Sequence, residues 1–204
     1  MNPLLSDLQP YPFERLRQLF AGVTPPPDCR AISLGMGEPR HPTPPFIKEA
    51  LCNNLGGLAS YPATAGEPAL RAALTQWLAR RYALSLDPGS QVLPVNGSRE
   101  ALFSFAQTVI DPSQGKPFVV CPNPFYQIYE GAALLAGATP YYAPSDPTRN
   151  FAVDWDAVPD SVWQRTQLLF VCSPGNPTGA VMPLGEWQKL FALSDRYGFV
   201  IASD

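Results

Sequence analysis

The sequence predicts an α/β fold of three layers, in which a sheet lies between two layers of helices. Two observations carry this prediction. From residue 92 onward, short apolar runs alternate with amphipathic stretches of helical length, as they do in three-layer α/β domains. The chain has 204 residues, of which 46% are hydrophobic and 15% are charged, so it is long and apolar enough to bury a core.

Composition and charge argue against several classes of protein. The net charge is −3, and no cluster of Lys and Arg marks a nucleic-acid footprint. No apolar run approaches the length of a membrane span, and residues 1–12 lack the basic and apolar regions of a signal peptide. We therefore expect a cytoplasmic protein that has no nucleic-acid partner and no membrane partner.

The cysteines predict no metal centre. The four cysteines are widely spaced and the chain has a single histidine, so a set of zinc ligands is not expected. Cys121 and Cys172 each end an apolar run, and both are expected to be small buried side chains.

The first part of the chain predicts helices that are separated by stiff or glycine-containing connectors. The expected helices cover residues 13–20, 44–54 and 67–82. A short strand is expected at 32–34, followed by a glycine turn at 35–39. Because position 40 is Arg rather than Gly, this turn is not a dinucleotide-binding fingerprint.

From residue 92 the predicted elements alternate regularly. The expected strands are 92–95, 118–121, 139–143, 168–172 and 199–202, and Pro94 weakens the first of them. The expected helices are 99–110, 125–136, 160–164 and 184–197. A polar loop is expected at 146–150.

A loop of defined chemistry follows the apolar run 168–171. Residues 172–179 read Cys-Ser-Pro-Gly-Asn-Pro-Thr-Gly, and two prolines and two glycines cannot continue a strand. Asn176 therefore lies just beyond a sheet end, where open α/β sheets bind ligands. Its side chain offers a carbonyl oxygen and an amide NH2 that do not change charge with pH. On spacing alone, a tight turn with a capping Asn is the favoured explanation of the segment.

A second candidate site is the start of the helix predicted at 99–110. The order strand, Gly97-Ser98, helix favours anion binding, because unpaired N–H groups and the positive end of the helix dipole point at the same place. Ser98 adds a hydroxyl. An ordinary helix N-cap is the alternative explanation.

Together these segments resemble the class I and II aminotransferases, enzymes of fold type I that use pyridoxal 5′-phosphate (PLP). The resemblance rests on Ser-Pro-Gly-Asn-Pro-Thr-Gly at 173–179 and on Gly-Ser-Arg-Glu-Ala-Leu at 97–102. It implies that Asn176 donates a hydrogen bond to the phenolic oxygen of PLP. It also implies that Gly97, Ser98 and Arg99 bind the phosphate, with backbone amides of Ser98 and Arg99 as donors.

The same resemblance assigns two contacts to the PLP ring. Tyr126 is expected to stack on the pyridine ring, with Phe125 as the competing aromatic and core packing as the alternative for both. Asp204 is expected to form an ion pair with the protonated pyridine nitrogen, which lets the ring draw electrons from the substrate.

Two further residues match the family before residue 92. Tyr61, in a Tyr-x-x-x-x-Gly segment, is expected to reach the PLP phosphate of a neighbouring subunit in a homodimer. Gly37, in Gly-Glu-Pro, is expected to place a backbone amide beside the substrate carboxylate. A half-buried packing tyrosine and a simple turn are the alternative explanations.

The resemblance places the Schiff-base lysine beyond residue 204. Lys48 and Lys189 lie in predicted amphipathic helices and Lys116 in a turn, so none is expected to be catalytic. We therefore expect a fragment: an N-terminal arm with a small-domain segment at 1–43, and an incomplete PLP-binding large domain at 44–204.

Segments 11–16, 97–102 and 121–131 resemble the bacterial succinyldiaminopimelate aminotransferase subfamily, which uses glutamate as amino donor in lysine and diaminopimelate biosynthesis. The substrates implied are an amino acid and a 2-oxo acid. Two alternatives remain open. One is another fold-type I PLP enzyme, such as an aspartate aminotransferase or a C–S lyase. The other is a non-catalytic fragment that binds a partner.

Overall fold

The computed structural model of the chain describes residues 1–32, 34–35 and 37–204, and these divide into two compact units. One unit is Pro10–Pro94, and the other combines Met1–Gln9 with Val95–Asp204. The division into domains at 1–43 and 44–204 stays a prediction.

The unit Pro10–Pro94 is helical. Its helices are α1 (Pro12–Phe20), α2 (Pro45–Asn53) and α3 (Pro68–Tyr82), and a 3-10 helix covers Leu55–Ala59. Each α-helix has a proline within its first two positions, where the missing N–H costs nothing. All three helices confirm the predicted segments. The predicted strand 32–34 and turn 35–39 include Ser33 and Met36, which lie outside the described residues, and neither Ile32 nor Leu34 belongs to a strand.

The second unit contains an open sheet of five strands in the order β3-β2-β1-β4-β5. The strands are β1 (Phe118–Asn123), β2 (Thr139–Asp146), β3 (Ala152–Val153), β4 (Thr166–Val171) and β5 (Val200–Ser203). All pairings are parallel except that of β3 with β2. The helices are α4 (Ser98–Val109), α5 (Ile128–Leu135), α6 (Asp160–Trp163) and α7 (Leu184–Tyr197).

Strand periodicity divides the core of this unit into two clusters, one on each face of the sheet. Along β1, Val119 and Cys121 belong to the cluster that includes α4 and α5, whereas Val120 belongs to the cluster that includes α6 and α7. Along β4 the same alternation puts Phe170 in the first cluster and Leu169 in the second. The three-layer α/β prediction is therefore confirmed.

Several local predictions were wrong. Residues 92–95 form no strand, since Pro94 has no N–H to donate to a neighbouring strand. The helix predicted from residue 125 begins only at Ile128, three residues later. Strand β2 continues to Asp146, where a loop was expected, and the two-residue strand β3 was not predicted.

None of the helices in the described ranges is long and apolar enough to cross a membrane. No group of three or more His, Cys, Asp or Glu side chains among the same residues could hold a metal ion.

Candidate active site

Two strands of the second unit, β4 and β5, end side by side. Val171 of β4 pairs with Ser203 of β5, so the chain leaves both strands at the same edge of the sheet. Beyond this pair, the backbone N–H of Asp204 donates to the carbonyl of Val171 over 2.8 Å, and that of Ser173 donates to the carbonyl of Asp204 over 3.4 Å. The backbone of Asp204 is thus fixed against the loop that follows β4.

The carboxylate of Asp204 is bound by a tyrosine of α5. The hydroxyl of Tyr129 donates a hydrogen bond to Asp204 Oδ2 over 2.7 Å. Tyr129 is completely buried, and its ring stacks on Phe170 with 4.5 Å between ring centroids. Burial, and then the carboxylate beside it, raise the pKa of the Tyr129 phenol, so the phenol stays protonated and acts as the donor.

The ring of Tyr126 joins this group to the start of α4. Tyr126 lies edge-to-face on Tyr129, with 5.9 Å between centroids. Its hydroxyl oxygen accepts a hydrogen bond from Arg99 Nε over 2.8 Å. Since Arg99 is the second residue of α4, the positive end of this 12-residue helix lies beside the carboxyl edge of the sheet.

Gly97 is the N-cap residue of α4, and no described side chain caps this helix end with a hydrogen bond. Its φ of 144° is one that side chains rarely adopt, and a Cβ there would come within 2.8 Å of Glu100 Oε2. The first N–H groups of an α-helix have no partner within the helix. The N-terminus of α4 is therefore the place where this unit is expected to bind an anion, and the assignment of Gly97, Ser98 and Arg99 to a phosphate stays a prediction.

The loop after β4 is held in shape by its own hydrogen bonds. The N–H of Gly175 donates to the carbonyl of Ala180 over 2.8 Å, and the N–H of Gly179 to the carbonyl of Gly175 over 2.7 Å. Asn176 is exposed within this closed loop, and no described group is hydrogen-bonded to its side chain. Its amide is free to bind a ligand.

A cleft of about 320 Å³ opens beside this loop, and Asn176, Tyr129 and Cys172 contribute to its lining. Phe125, the aromatic that competes with Tyr126 for the ring contact, also lines the cleft, whereas Tyr126 and Asp204 are not among its lining residues. Cys121 is fully buried, as predicted. The same expectation for Cys172 was wrong: this residue follows the last residue of β4, is half-buried, and donates from Sγ to the carbonyl of Pro174 over 3.1 Å.

Gly37 and Tyr61 belong to the unit Pro10–Pro94, and their predicted roles stay predictions. The Tyr61 side chain is fully exposed within this chain. A Cβ atom placed on Gly37 would have no described atom within 4 Å, apart from those of its two neighbours in the chain.

Sequence reasoning missed Tyr129 as a site residue. Within the helix predicted at 125–136, the three-residue spacing of Tyr126 and Tyr129 is as typical of core packing as of a site. Only the pairing of β4 with β5 brings Asp204 to the Tyr129 hydroxyl, and a contact across 75 residues leaves no local sequence signal.

An open α/β sheet whose carboxyl edge carries an acidic residue, an aromatic ring and a helix N-terminus has the architecture of a fold-type I PLP-dependent transferase. A family model for aminotransferase class I and II matches residues 30–204. The chain therefore belongs to this family, whose members use PLP.

Individual relatives agree with this assignment. The LL-diaminopimelate aminotransferase of Desulforudis audaxviator is 35% identical over 202 residues, which are 98% of this chain and 50% of that protein. The crystal structure of an aminotransferase from Neisseria meningitidis Z2491 is 52% identical with a TM-score of 0.94, covering 100% of this chain and 52% of that one. The crystal structure of the aminotransferase AspB from Helicobacter pylori 26695 is 37% identical with a TM-score of 0.86, covering 97% of this chain and 51% of that one. The chain spans about half the length of these relatives.

The groups at the carboxyl edge of the sheet fit PLP. The cofactor carries an anionic phosphate, a flat pyridine ring whose nitrogen can be protonated, and a phenolic oxygen. The start of α4 offers N–H donors for the phosphate, Tyr126 offers a ring face, and Asp204 offers a negative charge for the nitrogen. Asn176 offers an amide donor for the phenolic oxygen.

Proposed function

We propose that the whole protein is a PLP-dependent aminotransferase, which moves an amino group from an amino acid to a 2-oxo acid. The observation that most supports this proposal is the Asp204 carboxylate, bound by Tyr129 at the edge of the sheet that also carries Tyr126 and the start of α4. A fixed negative charge beside a helix N-terminus suits a ligand that is cationic at one end and anionic at the other.

Each candidate site residue of this chain has a separate role in the proposed PLP site. When bound, PLP supplies an electron-withdrawing ring that stabilises negative charge at the substrate's α-carbon. Asp204 keeps the proton on the pyridine nitrogen, because a nearby negative charge favours the cationic form. Tyr126 fixes the tilt of the ring, the Ser98 and Arg99 amides hold the phosphate, and Asn176 donates to the phenolic oxygen. The lysine that holds the cofactor would lie outside this chain.

We propose that one substrate is of the diaminopimelate type, and that glutamate and 2-oxoglutarate are the other amino acid and 2-oxo acid of the reaction. The resemblance of segments 11–16, 97–102 and 121–131 favours the N-succinyl form. The name of the Desulforudis audaxviator relative favours LL-diaminopimelate itself. A long dicarboxylic substrate needs a cationic entrance. Arg40 is the candidate we consider, although it is an exposed residue whose Nε lies 3.7 Å from Glu38 Oε1.

The site residues leave two alternatives. A C–S lyase or an aspartate aminotransferase would need the same contacts to PLP, so Asp204 and Asn176 do not discriminate between these enzymes and the proposed one. A non-catalytic fragment that binds a partner would have no use for the groups assigned here to PLP. We further propose that the whole protein acts as a cytoplasmic homodimer, in which Tyr61 reaches the neighbour's PLP phosphate and Gly37 contacts the substrate carboxylate.

The test is a comparison of kcat/KM in the whole protein. N-succinyl-LL-diaminopimelate, LL-diaminopimelate and aspartate are each offered with 2-oxoglutarate, and glutamate formation is followed. We expect one of the diaminopimelate forms to exceed aspartate by about tenfold or more, the discrimination that a site complementary to one substrate achieves. A preference for aspartate would contradict the subfamily. Elimination of a thiol from a C–S substrate without glutamate formation would favour the lyase.

A further inference from the structure

Tyr129 has the surroundings of a side chain that is fixed in one orientation. It lies on α5 with no exposed surface, stacked on Phe170 of β4 at an angle of 6° between ring planes. The edge-to-face contact with Tyr126 restrains it from another direction. The ring therefore has little freedom to rotate, and its hydroxyl is directed at Asp204 Oδ2 at 2.7 Å.

The direction of this hydrogen bond follows from chemistry. An ionised carboxylate can only accept, and a protonated phenol can donate one hydrogen. Burial raises the pKa of the Tyr129 phenol, so the donor keeps its proton at neutral pH. A bond from a neutral hydroxyl to a charged oxygen belongs to the stronger class of hydrogen bonds.

Asp204 thus has one anchor for its backbone and another for its side chain. Its N–H and its carbonyl are bonded to Val171 and Ser173, on β4 and in the loop that follows it. What remains is rotation of the carboxylate, and the Tyr129 hydroxyl opposes that rotation by occupying one oxygen.

We propose that Tyr129 is a positioning residue: it holds Asp204 Oδ2 and thereby presents Asp204 Oδ1 to the protonated pyridine nitrogen of PLP. This inference rests on the proposed function. It goes further by dividing the two carboxylate oxygens between a protein donor and the cofactor, and by making a side chain of α5 necessary for an interaction made by Asp204, the residue that follows β5. In this proposal Tyr129 acts through Asp204 rather than by contact with the substrate.

The test uses Tyr129→Phe in the whole protein, with Tyr197→Phe as matched control. Tyr197 donates a hydrogen bond to Asp160 Oδ1 over 2.8 Å, so the control removes the same kind of bond on α7. The dissociation constant of PLP is measured by fluorescence, and the pH dependence of the absorbance of bound PLP is recorded in each variant. We expect Tyr129→Phe to weaken PLP binding about tenfold and to shift this pH profile. Tyr197→Phe should change neither.

A double variant separates positioning from general stability. If Tyr129 acts through Asp204, adding Tyr129→Phe to Asp204→Ala weakens PLP binding by less than about twofold. Equal losses in both backgrounds, or equal effects of Tyr129→Phe and Tyr197→Phe, would overturn the inference while leaving the proposed function in place. A wild-type protein that does not bind PLP would overturn both.

A second measurement covers the case in which Tyr129→Phe does not fold. Proton NMR of the wild type should show a slowly exchanging hydroxyl signal from Tyr129, and that signal should be lost in Asp204→Ala. Its absence from the wild type would contradict the inference.

Discussion

Arg99 Nε lies 2.8 Å from the hydroxyl oxygen of Tyr126 and donates a hydrogen bond to it. The bond joins the second residue of α4 to the segment that leads from β1 into α5. This bond therefore holds the helix end assigned to the phosphate to the ring assigned to the pyridine. Such pre-organisation lowers the ordering cost of binding.

The first prediction concerns the two parts of Tyr126. Tyr126→Ala removes the ring and its hydroxyl, and we expect it to weaken PLP binding about tenfold in the whole protein, the upper end of what an aromatic stack contributes. Tyr126→Phe keeps the ring and removes only the bond to Arg99, so its effect should be smaller. Fluorescence titration of the PLP-free protein measures both. Equal affinities for Tyr126→Ala and the wild type would remove Tyr126 from the site.

The second prediction ranks Asp204 above Asn176. Asp204→Ala should lower kcat of the whole protein by about two orders of magnitude, as the loss of a preorganised electrostatic partner does. Asn176→Ala should cost less, because it removes a neutral hydrogen bond rather than a charge partner. Steady-state kinetics with the preferred substrate pair decide the ranking. Near-normal turnover in Asp204→Ala would show that this residue is not in the site.

The third prediction is a loss of stability in alkali. The pKa of Tyr129 is raised in the folded chain above the ordinary value of 10.0, chiefly by burial. Above pH ~10 an unfolded tyrosine releases its proton while buried Tyr129 keeps it, so the unfolded state binds fewer protons and is favoured as pH rises. The free energy of unfolding should fall by about 1.4 kcal/mol per pH unit from this group.

Urea unfolding of the 204-residue chain between about pH 9 and pH 11.5 measures this slope. The slope should be shallower in Tyr129→Phe by the contribution of one proton. Tyr61→Phe, which alters a fully exposed tyrosine, is the control and should follow the wild type. If the wild type and Tyr129→Phe lose stability in parallel, Tyr129 does not carry the effect.

The fourth prediction is that the 204-residue chain forms no specific covalent adduct with PLP. Lys189 lies on α7 and forms an ion pair with Asp156. Lys116 precedes β1, at the end of the sheet opposite to Asp204. Lys48 is exposed on α2. Borohydride reduction with PLP followed by peptide mapping should give only sparse, scattered labelling. One stoichiometric label on any of these lysines would refute the prediction.

Elements that satisfy strong local rules could be predicted from the sequence. Helix α7 has the predicted bounds, because its apolar period is regular and Gly198, with a φ of 79°, ends it. The apolar runs of β4 and β5 are typical of strands in parallel sheets. Strand β3 could not be predicted, since two residues hold no periodicity and its partner, β2, sets its pairing.

The candidate site was predictable only where family resemblance reached it. Asn176, Tyr126 and Asp204 lie in short matched segments, and Arg99 was expected to act through its backbone alone. The bonds from Arg99 Nε to Tyr126 and from Tyr129 to Asp204 depend on how α4, α5 and β5 assemble. No local pattern carries that information.

The central claim is that the carboxyl edge of β1, β4 and β5 binds PLP. A crystal structure of the whole protein grown with PLP tests it most directly. The account predicts the phosphate at the Ser98 and Arg99 amides, the ring against Tyr126, and the pyridine nitrogen about 2.8 Å from Asp204 Oδ1. A cofactor bound elsewhere, or one whose ring nitrogen makes no contact with Asp204, would contradict it.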